Sequence, residues 1–282
     1  MKRQLSQIYL SVVPVLTIVL GLGIGYISYK IYLPVWLLNV VLMIAAMRTL
    51  GGAHYKTAEK TERRLIICGV FFIIPTLLTS MFFGLGAPPY ESPATWMATV
   101  TEQRVRYYFL LTAGLFIAFG FVLLCIQLKK TGDDFYAALA AATILIAAPV
   151  FIIDMSFWGF FLTRMYQFMV DTHLTKTPEW VFPLRTMFYY VNVFAAALLY
   201  LATGLVVYSL KKTGWFKPAA CKCYLAVTGL FLVLDLLPPT LPEPFATLNF
   251  IVSIPAVPFM LPYFIGINLL RRAGNFVFPA NH

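Results

Sequence analysis

Long apolar runs separated by short polar segments dominate the chain. Eight of them are long enough to cross a bilayer: residues 8–29, 31–50, 65–84, 107–127, 136–158, 186–209, 220–237 and 247–269. A spanning helix needs about 20 apolar residues, because each residue rises 1.5 Å and the hydrocarbon layer is about 30 Å thick. The pattern predicts an all-α fold: a polytopic transmembrane helical bundle of about eight spans, one integral membrane domain over residues 1–282. Almost nothing separates the first two runs, which predicts a tight hairpin near Ser28-Tyr29-Lys30. The remaining loops leave no room for a second globular domain of ordinary size.

Composition agrees. The chain is 61% hydrophobic and only 11% charged, where a soluble domain carries about 25% charged residues. The net charge of +10 would suggest nucleic acid in a soluble protein. Here the cations lie between apolar runs, so they read as determinants of orientation and as contacts to anionic lipid headgroups, with the lipid bilayer and not nucleic acid as partner. Met1-Lys2-Arg3 and the apolar run to Tyr29 mimic a signal peptide. The run is long and no small-x-small site closes it, so it reads as a retained first span.

With the N-terminus inside, six of the 21 Lys and Arg fall outside: Lys30, Arg104, Arg106, Arg164, Lys176 and Arg185. The other 15 are cytoplasmic, which favours this orientation over its inverse. An even number of spans then places both termini in the cytoplasm. Cys68, Cys125, Cys221 and Cys223 fall on or near that half, where a reducing compartment leaves thiols unpaired. Cys221-Lys222-Cys223 lacks the nearby His or Cys that a four-ligand metal site needs. Without sequons or targeting sequence, a bacterial inner (cytoplasmic) membrane is expected.

The chain also resembles itself. Tyr107-Tyr108 opens one run that closes on Leu128-Lys129-Lys130-Thr131-Gly132; Tyr189-Tyr190 lies early in another that closes on Leu210-Lys211-Lys212-Thr213-Gly214. The following runs carry Asp154 and Asp235. Cations and a left-handed Gly suit any cytoplasmic helix end. They do not account for the Tyr-Tyr and Asp landmarks at matched offsets. A duplicated two-span hairpin is expected, with copies over 104–158 and 186–240. Such a unit returns the chain to its starting side, so the copies are parallel rather than inverted.

An ionisable group at mid-bilayer costs about 2.5–3.5 kcal/mol and is a functional hypothesis by default. Asp154 lies about 20 residues into its helix, roughly 30 Å across, which is the outer interface. Asp235, ahead of Pro238-Pro239, is placed similarly. With Arg106, Arg185, Tyr108, Tyr190 and Asn192, they form the candidate ligand-binding set, an outward-facing polar vestibule for a small polar ligand or a lipid or quinone headgroup. The competing reading is that Asp–Arg pairs and tyrosines fasten helix ends. Three prolines in the last run, Pro255, Pro258 and Pro262, predict a kink. The three His are His54, His173 and His282, all outside the runs, so a membrane haem lacks axial ligands. Zinc-protease, nucleophile-elbow and P-loop motifs are absent. No cofactor, metal or catalytic residue is expected.

Two stretches resemble the membrane-anchor subunits of DMSO and polysulfide reductases: Ser80-Met81-Phe82-Phe83-Gly84-Leu85-Gly86-Ala87-Pro88, and Arg164-Met165-Tyr166 to Thr177-Pro178-Glu179-Trp180. They cover under a fifth of the chain. The resemblance implies an eight-span protein passing quinol electrons to a soluble partner. The His that the DMSO-reductase branch carries near the first stretch is replaced here by aromatic and Gly residues. Three roles are therefore weighed: a sensory, accessory or scaffold subunit with a protein partner in a membrane complex, a small-solute transporter, and a quinone-reactive anchor.

Overall fold

The computed structural model describes residues 2–24, 27–84, 92–174 and 176–276, and these are all-helical. Against the eight runs expected, six helices among the described residues are long and apolar enough to cross a membrane: α2 (Tyr29–Leu50), α3 (Lys60–Gly84), α5 (Val100–Lys130), α6 (Phe135–Ser156) with its continuation to Asp171, α8 (Val181–Lys212) and α9 (Pro218–Asp235). A seventh crossing follows if α10 (Phe245–Ser253) and α11 (Ala256–Phe276), which meet at 57°, are one broken span. The remaining helices are α1 (Lys2–Ile24), the short α4 (Pro93–Ala98) and α7 (Leu162–Asp171), which continues α6. The expected hairpin falls partly outside the described residues; α2 begins at Tyr29, with Ile31 and Tyr32 N–H both bonded to the Ser28 carbonyl. Part of the first reductase-like stretch, residues 85–88, and His282 also lie outside the described residues.

Local chemistry sets the helix ends. Ser92 caps α4, its hydroxyl accepting from Thr95 N–H at 3.2 Å with Pro93 just inside. Glu62 reaches back to the Glu59 N–H at 3.2 Å ahead of α3. The two Leu-Lys-Lys-Thr-Gly segments close alike. Gly132 and Gly214 are left-handed, at φ +103° and +68°. Asp133 N–H returns to Leu128 O at 3.3 Å, and Trp215 N–H to Leu210 O at 2.9 Å. The two segments thus share their closing geometry.

Two helices run further than the apolar pattern indicated. Val100 starts α5, so Arg104 and Arg106 lie on the helix rather than in a loop. Beyond Ser156 the chain keeps its helical path through a π-turn, Phe157–Phe161, into α7. The stretch between the apolar runs 136–158 and 186–209 is therefore helical up to Asp171 and again from Val181. α7 carries an apolar face, Leu162, Met165, Tyr166 and Met169, that packs against α4.

Around α3 the bundle is densest, with α5 and α11 on either side; α8 packs on α6 and α9. Small residues bring backbones together. A Cβ on Gly69 would meet Gly266 O at 2.9 Å, and one on Gly266 would meet Gly69 O at 2.8 Å. In a membrane, where apolar burial gives no preference over lipid, such close approach provides the packing. Phe72 and Phe121 meet edge-to-face at 5.1 Å between α3 and α5. The Tyr263 hydroxyl donates to Leu10 O at 2.6 Å, tying α11 to α1. α2 and α9 turn most of their apolar surface outward, as lipid-facing helices do.

Candidate functional site: two buried aspartates and a broken helix

Asp154 sits in the last turn of α6, fully buried. One helical turn on, Trp158 Nε1 donates to its Oδ1 at 2.9 Å. Its Oδ2 has no hydrogen-bond partner among the described residues. The π-turn begins three residues later. Gly159 there faces the Tyr107 ring, which would lie 2.4 Å from an added Cβ. Phe157 stacks on Phe188 of α8 at 3.9 Å. The widened turn thus seats α6 against both α5 and α8 beside the aspartate.

Asp235 ends α9 and is also fully buried. The Ser253 hydroxyl donates to its Oδ1 at 2.7 Å, while Oδ2 again lacks a partner among the described residues. Asn249 closes the helix end: its amide donates to the carbonyls of Leu234, Asp235 and Leu237 at 3.2, 2.7 and 3.0 Å. Tyr189 donates to the Asn249 side-chain oxygen.

Ser253 is the last residue of α10, and the break follows from proline chemistry. Pro255 and Pro258 have no N–H to give to Ile251 and Ile254. Ile254 N–H and Val257 N–H turn to those carbonyls instead, at 3.2 and 2.9 Å. The carbonyls of Val252 and Ser253 are left for other donors, and α8 supplies them. Tyr200 OH donates to Val252 O at 2.7 Å, and Asn192 Nδ2 to Ser253 O at 3.1 Å. Irregular backbone at membrane depth is tolerated where protein satisfies it.

The expected vestibule does not form one site. Asp154 bonds to Trp158 and Asp235 to Ser253, with no shared partner. Arg106 is buried and donates to Phe82 O at 3.2 Å and to Gln103 Oε1 at 2.7 Å. Its guanidinium lies 4.0 Å over the Phe82 ring, so it fastens the end of α3. Arg185 donates to the Tyr166 hydroxyl at 2.7 Å, while its buried Nε has no hydrogen-bond partner among the described residues. Tyr108 and Tyr190 point outward, 60% and 55% exposed. Of the predicted set, only Asn192 joins an aspartate cluster. The single ion pair among the described residues is Lys212–Asp133, 3.0 Å, at the opposite end of α8. Ser253, Trp158 and Tyr200 were not singled out from the sequence. Pro255 and Pro258 after Ser253 were the available signal.

Two spaces adjoin these elements. Between α5, α6, α8 and the helix break lies a mostly apolar cavity of about 30 Å³, touched by Asn192 and Ser253. A larger crevice of about 340 Å³ opens between α1, α2 and α3, lined by Tyr9, Tyr32, Trp36, Asn39, Ser80 and Phe83. Tyr9 donates to Asn39 Oδ1 at 2.5 Å, and Trp36 Nε1 to Ser80 Oγ at 3.0 Å. Among the described residues the Asn39 amide finds only the Met43 sulfur, at 3.7 Å. No group of three or more His, Cys, Asp or Glu able to hold a metal occurs among the described residues.

Comparison with known proteins yields no matching family model, no matching curated protein and no matching solved structure. The chain is a multi-pass helical membrane protein.

Proposed function

We propose that this chain is a non-catalytic membrane subunit, an accessory or scaffold element that a protein partner uses within a membrane complex. The polar side chains that would line a solute path are instead committed to fastening: Arg106 to α3, Arg185 to α7, and Asn192 with Tyr200 to the helix break. The carrying observation is the size of the central cavity. About 30 Å³ holds a water molecule or two, against roughly 300–1,000 Å³ for an ordinary small-molecule site. This weighs against the small-solute transporter.

In this reading α1 and the bent α10–α11 pair complete eight spans, and both termini are cytoplasmic. Support comes from the 15-to-6 division of Lys and Arg. Arg3 also donates to Arg271 O at 3.0 Å, which brings the start of α1 and the end of α11 to one face. The hairpin repeat is supported by the shared closing turns and by two buried aspartates, each with one oxygen bonded and one not. The test is gentle extraction from the native membrane followed by mass spectrometry. A stoichiometric soluble partner is expected. Recovery as a lone chain under several mild detergents would reject the proposal.

One observation favours a second reading, the quinone-reactive anchor. The crevice between α1, α2 and α3 is of ligand size, apolar, and carries hydroxyl, amide and indole groups. Ser80, on its wall, opens one of the two stretches that resemble reductase anchors. Isoprenoid quinone should then co-purify with the wild type and be lost in Asn39→Leu. Absence of quinone from both would remove this reading.

A further inference from the structure

A second groove, at the end of the bundle where α1 begins and α11 ends, carries a different chemistry. It measures about 490 Å³ and is lined by Gln4, Gln7, Ile8, Ser11, Val12 and Arg271. The five α1 positions follow the three-and-four spacing of one helix face. Gln4, Gln7 and Ser11 supply polar groups, and Ile8 and Val12 apolar surface deeper along the same stripe.

A second arginine, Arg3, lies beside this groove and bonds to the backbone of Arg271. Arg3 lies against Gly274, where an added Cβ would come within 2.4 Å of its Nη2, and donates to the Arg271 carbonyl. Burial and the charge of Arg271 both lower the Arg3 pKa. No described carboxylate lies within ion-pair distance of either, since the one such pair is Lys212–Asp133. The Gln4 and Gln7 amides make no side-chain hydrogen bond to the described residues. Among the described residues the groove is therefore rich in donors, cationic at Arg271 with Arg3 beside it, and without a counter-charge.

We infer that this groove binds the headgroup of an anionic phospholipid, its phosphate against Arg271 and the Gln4 and Gln7 amides and an acyl chain along Ile8 and Val12. A phosphate oxygen accepts from guanidinium in a forked geometry, which relieves the Arg3–Arg271 repulsion. Basic pockets between helices at the membrane boundary recognise lipid headgroups in this way. The groove's apolar inner wall favours a lipid over free phosphate. The inference is independent of whether the chain is a scaffold subunit or a quinone anchor.

The test is native mass spectrometry of the full-length chain in detergent, titrated with phosphatidylglycerol or phosphatidylcholine. Phosphatidylglycerol should bind in preference. Arg271→Gln, at an exposed position, should weaken it about fivefold, the worth of one cation near the surface. Gln4→Leu, on the opposite wall, should weaken it in the same direction, and Arg271→Lys should retain most of the binding. Arg104→Gln, an exposed cation elsewhere, should leave it unchanged. Equal binding of the two lipids, unaltered binding in Arg271→Gln, or full displacement of phosphatidylglycerol by millimolar inorganic phosphate would overturn the assignment.

Discussion

Ser253 donates its hydroxyl to Asp235 at 2.7 Å across the junction between α9 and the end of α10, where both residues are buried. The same hydroxyl lies 2.8 Å from Asn249 O. One short side chain thus joins the end of one helix to the break in another. Ser253→Ala removes the only side-chain partner that Asp235 has among the described residues. A buried polar group left unbonded costs about 1–3 kcal/mol, so a clearly lower melting temperature in detergent is expected. Asp235→Asn keeps an acceptor for Ser253 and removes a charge that burial disfavours. It should accumulate and melt at or above the wild type. Equal losses in the two variants would show that the charge itself is required.

Tyr200 is the donor to the buried Val252 carbonyl that the break frees. Tyr200→Phe leaves Val252 O unbonded in a buried place, again for about 1–3 kcal/mol. Tyr190→Phe changes an exposed ring of the same helix and should be neutral. Thermal melts of both variants in one detergent check the contrast, and matching melts would remove the clasp from the account.

The α3–α11 contact depends on two glycines with almost no space around them. Gly69→Ala places a methyl group 2.9 Å from the Gly266 carbonyl, which forces the helices apart. Gly229→Ala, in α9, meets nothing within 4 Å. The first should reduce the yield of monodisperse protein on size exclusion and the second should not.

Asp133, in the turn between α5 and α6, is bonded to Lys212. Burial pushes its carboxyl up, but the nearby Ser209 hydroxyl and the Lys212 ammonium outweigh burial and hold it below the usual carboxylate range. With the folded-state pKa below the unfolded one, the folded state releases this proton more readily. Its contribution is complete above the unfolded value, about 3.9, and is lost as pH falls through the lower folded value. Melting temperature should therefore drop across this acidic window in the wild type. Asp133→Asn should show a shallower drop there.

The thiols differ in access. Cys223 is exposed, whereas Cys68, Cys125 and Cys221 are buried. A maleimide should label the detergent-solubilised protein once, and Cys223→Ala should abolish the signal. With the termini inside, an impermeant reagent should leave Cys223 untouched in intact cells and reach it after permeabilisation. Labelling from outside would invert the proposed topology.

The apolar runs determined most of the architecture by themselves. Apolar stretches of about 20 residues have no use outside a bilayer, and a backbone in hydrocarbon must satisfy its own hydrogen bonds as helix; six of the eight runs, or seven with the broken pair, recur as helices long and apolar enough to span. The Lys-Lys-Thr-Gly segments marked two helix ends correctly, because a left-handed glycine after cations is a local device. Tertiary structure decided the partners of the polar residues. Arg106 pairs with a carbonyl of α3 rather than with Asp154, and Asp235 finds a serine that lies 18 positions later beyond a loop. Sequence spacing places a side chain on a helix face and at a depth. Its partner depends on how neighbouring helices are rotated, which small residues such as Gly69, Gly159 and Gly266 set through close backbone approach. The π-turn after Asp154 has no such mark in the sequence, whereas the break at Ser253 is signalled by Pro255 and Pro258 and completed by donors on α8.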